Sequence, residues 1–325
     1  MDRRAFNSLM GLGAMGLALP ARAAGPYPDR PITLIVPYPA GGPSDTGARR
    51  LSVALGQKLG QPVVVDNVAG ASGSIGAQKL LRSAPNGLTV FYGSPNETLL
   101  APLANPAIQY KSNEFRMACL STITPYVLVG RASLPANTID ELVKLGRSSD
   151  KPLSFGSVGL GSQQHLAGES IKARSGMNML HVPYKGASPV MNDLLGGQID
   201  LAVMTFSGGT LDLIKSGKLK SLGVLSSKRD ALAPTLPTIN EGEYLKDVSF
   251  FSWGGIFVVA KTPAPIIERL NTELNAVNAL PEVRASAEAA GSRVPERMTL
   301  GECDQFYQGE IAKFQKIAKT VNLTT

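Results

Sequence analysis

The chain has 325 residues, 43% hydrophobic, 18% charged and 6% aromatic, with a formal charge of +7. That length and apolar content support one large or two ordinary globular domains, each with its own core. Lysines and arginines are scattered singly with few aromatics among them, which excludes a nucleic-acid binder built on a basic patch.

Arg3 and Arg4 precede an apolar stretch from Leu9 to Leu19, and Ala21-Arg22-Ala23 then offers a small-x-small cleavage site. Residues 1–24 therefore read as an export signal, of the twin-arginine or the general type. The stretch is too short to span a bilayer, and no later segment reaches about 18 uninterrupted apolar residues. Loss of Arg3, Arg4, Arg22 and Asp2 lowers the charge from +7 to +5, which suits an anionic ligand. Gly11-Leu12-Gly13-Ala14-Met15-Gly16 matches a dinucleotide fingerprint, but it lies within the signal with no strand before it. The mature protein is expected in the periplasm, soluble and monomeric.

From Pro31 the pattern alternates strands and helices. Ile32 to Val36 reads as a buried strand, and Thr46 to Leu59 as a helix with Ala48, Leu51, Leu55 and Leu59 on one face. Strands follow at Val63 to Val65 and Leu88 to Tyr92, with a helix through Ala77, Leu80 and Leu81 between them. After a looser region, Pro95 to Lys111, Met117 to Val129 reads as one long strand. A second series then runs with helices at Ile139 to Leu145, Gln163 to Ala173, Pro189 to Leu195 and Gly209 to Ser216. Its strands are Leu153 to Gly156, Met179 to Val182, Ile199 to Met204 and Leu219 to Leu225. Trp253 to Ala260 is another strand, and helices over Pro263 to Ala279, Pro281 to Ala290 and Leu300 to Val321 complete the chain.

Two βαβ series joined by long strands near Met117 to Val129 and Phe250 to Val259 predict two α/β lobes. Each lobe is a mostly parallel sheet flanked by helices, with two crossing segments. One lobe takes residues 25–122 plus 252–325, the other 123–251. Cys119 and Cys303 lie in an oxidising compartment, and their sequence separation leaves open whether they are bridged.

In an open parallel sheet, ligands bind beyond the carboxyl ends of the strands. There this sequence concentrates small residues: Gly41-Gly42 with Ser44-Asp45, Gly70 to Ser74, Gly93 to Glu97, Gly156 to Ser162, and Thr205 to Gly209. Glycine lets consecutive N–H groups point into one concavity, and a following helix adds a positive dipole end. Four hydrogen bonds to a charged group give roughly 6–12 kcal/mol gross, against about 8 for micromolar binding, so a carboxylate needs no arginine. Any one such loop also reads as a turn with an N-cap; Ser44 fits a cap, and Asp45 favours the helix dipole.

Enzyme signals are weaker. No Gly-x-Ser-x-Gly elbow occurs, and His165 and Glu169, four apart on a helix, read more readily as a helix-face hydrogen bond than as a metal site or a base with its orienter.

Taken together, Pro39-Ala40-Gly41-Gly42-Pro43-Ser44-Asp45 with Ala48-Arg49, then Gly70-Ala71-Ser72-Gly73-Ser74-Ile75-Gly76-Ala77, resemble the first-lobe motifs of Bug-type receptors. These are periplasmic substrate-binding proteins of tripartite tricarboxylate transporters. In the second lobe, Gly156 to Ser162 leading into His165-Leu166-Ala167-Gly168-Glu169, and the specific His181-Val182-Pro183-Tyr184-Lys185-Gly186, strengthen the resemblance, which runs from about Pro28 to near the C-terminus. It implies a non-enzymatic two-lobed α/β clamshell of the type II-like periplasmic-binding-protein class that holds a small carboxylated molecule in its cleft, needs no cofactor or metal, and passes the molecule to membrane permease subunits. By the same resemblance the first-lobe contacts are Tyr38, Ala40, Gly41, Gly42, Ser44, Asp45, Ala71 and Ser72. The second-lobe contacts are Ser157, Gly159, Ser162, Gln163, His165, Thr205 and Phe206. Asn96, with Tyr38, Phe206 and Trp253, is expected deep in the cleft, setting ligand length and shape. Tyr38 stands where the family often has Phe, and Val68-Ala69 replaces a basic-Pro pair, so the ligand of relatives does not transfer. Two rival readings remain: an exported hydrolase using His165 with a nearby serine, and a receptor that signals rather than transports.

Overall fold

The computed structural model describes residues 27–230 and 233–318. The expected export signal over residues 1–24 lies outside the described residues, as does the end of the last helix toward Val321.

The elements run β1 (Ile32–Val36), α1 (Pro43–Leu59), β2 (Val63–Asn67), α2 (Ser74–Leu81), β3 (Thr89–Gly93), a π-helical turn (Asn96–Leu100), α3 (Ala101–Ala104) and the long β4 (Phe115–Arg131). Next come α4 (Ile139–Ser148), β5 (Leu153–Ser157), α5 (Gln163–Ser175), β6 (Met179–Pro183), α6 (Ala187–Leu195), β7 (Leu201–Thr205), α7 (Gly208–Lys215) and β8 (Leu219–Val224). β9 (Phe251–Val259) returns the chain, and α8 (Ala264–Asn278), α9 (Pro281–Ala289) and α10 (Leu300–Ala318) follow.

The strands form two half-sheets that share β4. In the first, β2, β1 and β3 are parallel, and β9 lies antiparallel between β3 and β4. In the second, β6, β5 and β7 are parallel, with β4 antiparallel between β7 and β8. Residues Phe115 to Pro125 of β4 pair with β9, and Tyr126 to Arg131 pair with β7 and β8. Each half therefore has the strand order 2-1-3-n-4 of a type II periplasmic-binding-protein lobe.

The parallel strands read as near-continuous apolar runs because both faces are covered. Leu51 and Leu55 of α1 pack with Ile267, Leu270 and Leu274 of α8 on one face of the first half-sheet. Ala77 and Leu80 of α2 lie with Tyr307 and Phe314 of α10 on the other. In the second half, α4 and α5 supply Leu142, Val143 and Ile171 to one face, and α6 and α7 supply Val190, Leu194 and Leu211 to the other.

Two local expectations are corrected, on α1 and on the region after Pro95, and the open question of the cysteines is answered. Helix α1 begins at Pro43, not Thr46, and its N-cap is Gly42 rather than Ser44. Proline suits the first helical position, where its fixed φ is already helical and its missing N–H has no partner to lose. The region after Pro95 is not loose, since Asn96–Leu100 is a π-helical turn continuing into α3. Cys119 and Cys303 are free, buried thiols on β4 and α10. Burial pushes both thiols up, Cys303 to about 11.

Candidate functional site

A cleft of about 710 Å³ opens between the half-sheets, beyond the carboxyl ends of their parallel strands. Tyr38, Gly41, Gly42, Ser44, Ser94 and Asn96 line it from the first half. Thr122, Thr124, Tyr126 and Trp253 line it from the crossing strands, and Val158, Gln164, Ser188, Asn192, Thr205 and Thr210 from the second half. Its charged lining residues are Arg50 and Asp212.

Two helices point their N-terminal ends into this space with no side chain capping either. Helix α1 starts after Gly42 and α6 after Gly186. The first N–H groups of a helix lack intrahelical acceptors, and the macrodipole adds about half a positive charge there. The two ends face one another across the cleft: a Cβ built on Gly42 would lie 3.8 Å from Ser188 Oγ, and one on Gly186 2.9 Å from Pro39 Cδ. A third helix, α7, also begins at the cleft, with Ser207 capping the Thr210 N–H at 3.4 Å.

The β1–α1 loop is held in shape by Asp45, which is buried. Its carboxylate accepts from Gly41 N at 3.0 Å, Arg49 Nε at 2.9 Å and Asn67 Nδ2 at 3.0 Å. Burial alone would raise the Asp45 carboxyl, but these donors and the Arg49 charge outweigh it and hold it below the usual range. Asp45 thus faces its own loop, and Ala40 is exposed outside the cleft.

The Gly156–Ser162 loop sits differently from the expected clamp. Ser157, Gly159, Ser162, Gln163 and His165 are buried and outside the cleft lining, with Gly159 and Gln163 against the first half of the molecule. Ser72 Oγ donates to Leu160 O at 2.9 Å, and Gln163 N donates to Asn96 Oδ1 at 2.8 Å. Gly159, at φ +145°, leaves no room for a side chain, because its Cβ would fall 2.2 Å from Ser72 Oγ. Gln163 accepts from Tyr126 Oη at 3.0 Å and donates to Phe251 O at 3.2 Å, tying α5 to both crossing strands. Ala71 and Ser72 belong to the same seam, with φ of 47° and 53°. Thr205 lines the cleft; Phe206 is fully buried beside it.

The histidines form a packed pair. His165 stacks on His181 with ring centroids 3.9 Å apart, and its Nδ1 accepts from Gly161 N at 3.1 Å. His181 Nε2 meets Ser157 Oγ at 2.6 Å. Burial, with the Lys172 charge, lowers His165 to about 4. Burial, then His165 and Lys172, lowers His181 to about 3. Both rings are neutral near pH 7, and Glu169 pairs with Lys172 at 3.8 Å instead of orienting His165.

Behind Tyr38 lies a buried carboxyl that the sequence did not single out beyond its loop. Glu97 Oε2 accepts from Tyr38 Oη and Ser94 Oγ, each at 2.9 Å, and Oε1 from Ser94 N. Complete burial raises Glu97 to about 7 despite these donors. Also absent from the expected contacts are Arg50, Thr122, Thr124 and the α6 start. The last had a readable signal, Gly186-Ala187-Ser188 following a strand, in the same small-residue style as the other loops.

Two type II lobes with a cleft between them define a solute-binding receptor. The model of the tripartite tricarboxylate transporter family receptor, TctC, matches residues 48–323, and the chain belongs to this family. Protein BugT of Bordetella pertussis is 36% identical over 267 residues, covering 81% of each chain. The structure of the periplasmic binding protein BugD has a TM-score of 0.83 at 31% identity, covering 92% of this chain and 99% of that one. R. palustris Rpa4515 with adipate gives a TM-score of 0.85 at 28% identity, covering 90% of this chain and 98% of that one. Members of this family are receptors and not enzymes. Among the described residues, no helix is long and apolar enough to cross a membrane.

Proposed function

We propose that this protein is a monomeric periplasmic receptor that closes on a small carboxylate and delivers it to the membrane subunits of a tripartite tricarboxylate-type transporter. The observation that carries the reading is the convergence of two uncapped helix N-termini, α1 and α6, one from each side of the cleft. A carboxylate between them accepts backbone N–H groups from both sides, each charge-assisted bond contributing roughly 1.5–3 kcal/mol. Only the closed arrangement supplies both sets of donors, so binding stabilises closure.

Tyr38, Gly41, Gly42, Ser44, Asn96 and Thr205 act as cleft contacts in this reading, joined by Ser188 and Gln164. Asp45, Ala71, Ser72, Ser157, Gly159, Ser162, Gln163, His165 and Phe206 act behind them, fixing the loops and the seam between the lobes, and Ala40 takes no part. The adipate bound by the R. palustris relative supports an organic acid as ligand class.

Thermal-shift screening of the mature protein against mono-, di- and tricarboxylates, aromatic acids, sugars and cations tests this. At least one carboxylate is expected to raise the melting temperature, and Ser188→Tyr, which fills the gap between the two helix starts, to abolish that rise. A tight sugar or cation with no carboxylate response would overturn the reading.

A further inference from the structure

Arg49 and Arg50 are neighbours in sequence but opposite in situation. Arg49 is committed to Asp45 at 2.9 Å. Arg50 lines the cleft as its single cation, no carboxylate among the described residues forms an ion pair with it, and its buried Nε has no hydrogen-bond partner. A guanidinium carries five N–H donors in a fork that matches a carboxylate. Arg50 is half-buried, and its covered Nε bears the desolvation cost of an unmade hydrogen bond.

The surroundings do not satisfy it. Tyr92 and Thr122, which line the cleft with Arg50, bond one another at 3.1 Å, and Thr124 bonds Ser292 at 2.8 Å. Tyr92 is raised by burial while the Thr122 hydrogen bond and the Arg50 charge act against that rise, which puts the guanidinium within electrostatic reach of this wall. Asp212, the other charged lining residue, is exposed on α7 and does not pair with Arg50. Arg50 follows Ser44 by six residues on α1, about 9 Å along the axis, and helical side chains lean back toward the N-terminus. The guanidinium therefore lies within one small molecule's length of the α1 start.

We propose that Arg50 receives a second acidic group, so that the cleft selects a ligand with two: one held between the α1 and α6 starts, the other on this guanidinium. This rests on the carboxylate reading of the cleft and adds to it a selectivity that the backbone donors alone do not supply.

The test is calorimetric titration of the mature chain with succinate, glutarate, adipate and pimelate, each beside its monocarboxylic counterpart of equal carbon number. The wild-type protein is expected to bind its preferred diacid at least about 10-fold tighter than the matching monoacid. Arg50→Met is expected to lose about 10- to 100-fold for the diacid and less than about 3-fold for the monoacid. Arg50→Lys, which keeps the charge but not the fork, falls between. Equal losses for both ligands, or no loss, overturn the proposal. A wild-type diacid-to-monoacid ratio near one overturns it without any variant. If the wild-type protein binds neither class, the carboxylate reading itself has failed, an outcome distinct from equal losses.

Discussion

Replacing Glu97 by Gln tests how the wall behind Tyr38 is built. The carboxyl is fully buried and sits at about 7, against an ordinary value of 4.5, because burial penalises its charge more than three hydrogen bonds compensate. A carboxyl raised in the folded state binds its proton more tightly there than in the unfolded chain. Its stabilising contribution is thus complete below about pH 4.5 and is lost as pH rises through 7. At about 1.4 kcal/mol per pH unit the full effect is roughly 3 kcal/mol, and most of it, roughly 2–3 kcal/mol, falls between pH 5 and pH 8. Glutamine is neutral throughout, so Glu97→Gln should gain roughly 2–3 kcal/mol relative to wild type on going from pH 5 to pH 8. Any constant cost of the amide, such as the altered bond to Tyr38 Oη, cancels in that difference. Urea unfolding of both proteins at the two pH values measures it. A difference between variant and wild type that does not change with pH would show that the three donors keep Glu97 ionised, refuting the dominance of burial.

The seam between the lobes gives further expectations. Asn96→Ala strips the Gln163 N–H of its acceptor and Gln164 of its 3.2 Å partner, and is expected to cost about 2–4 kcal/mol in urea unfolding; a cost below about 1 kcal/mol contradicts the pairing. Gly159→Ala drives a methyl into Ser72 and should lower the melting temperature and enlarge the radius seen by small-angle scattering. Gly309→Ala on α10, where a Cβ meets nothing within 4 Å, should instead gain up to about 1 kcal/mol. Thiol titration with a chromogenic disulfide reagent should find no reactive cysteine in the native protein and both on denaturation; one bridged pair would contradict the free thiols.

The strands among the described residues are readable as apolar runs between turn signals, most of them short like Ile32-Thr33-Leu34-Ile35-Val36, with β4 the long exception. Helix α1 declared its buried face through Ala48, Leu51, Leu55 and Leu59. Harder to read was Asn96–Leu100, which opens with polar residues and has a π-helical hydrogen-bond pattern that no simple periodicity marks. The β1–α1 side of the cleft was legible from its glycines. For the opposite wall the resemblance points to Gly156–Ser162 with Gln163, His165, Thr205 and Phe206, of which Thr205 lines the cleft together with Val158 of that loop. The glycines of that loop allow close approach of one lobe to the other, Gly159 against Ser72 and Gly161 against Ala104. Glycine permits proximity, and sequence does not say whether a ligand or the chain itself is what comes near. Arg50 was invisible for a different reason, since two adjacent arginines look alike until Asp45 claims one of them.

The place of β9 has a consequence for how the molecule is made. Its residues lie between β3 and β4 in the first half-sheet, although the whole second half separates it from both along the chain. A polypeptide emerging N-terminus first has β1, β2, β3 and β4 available early, yet β3 and β4 cannot close up until Phe251–Val259 arrives to sit between them. The second lobe, contiguous from Tyr126 to β8, has all its strands before that point. The order of completion is therefore the reverse of the order of synthesis: the lobe begun first is finished last.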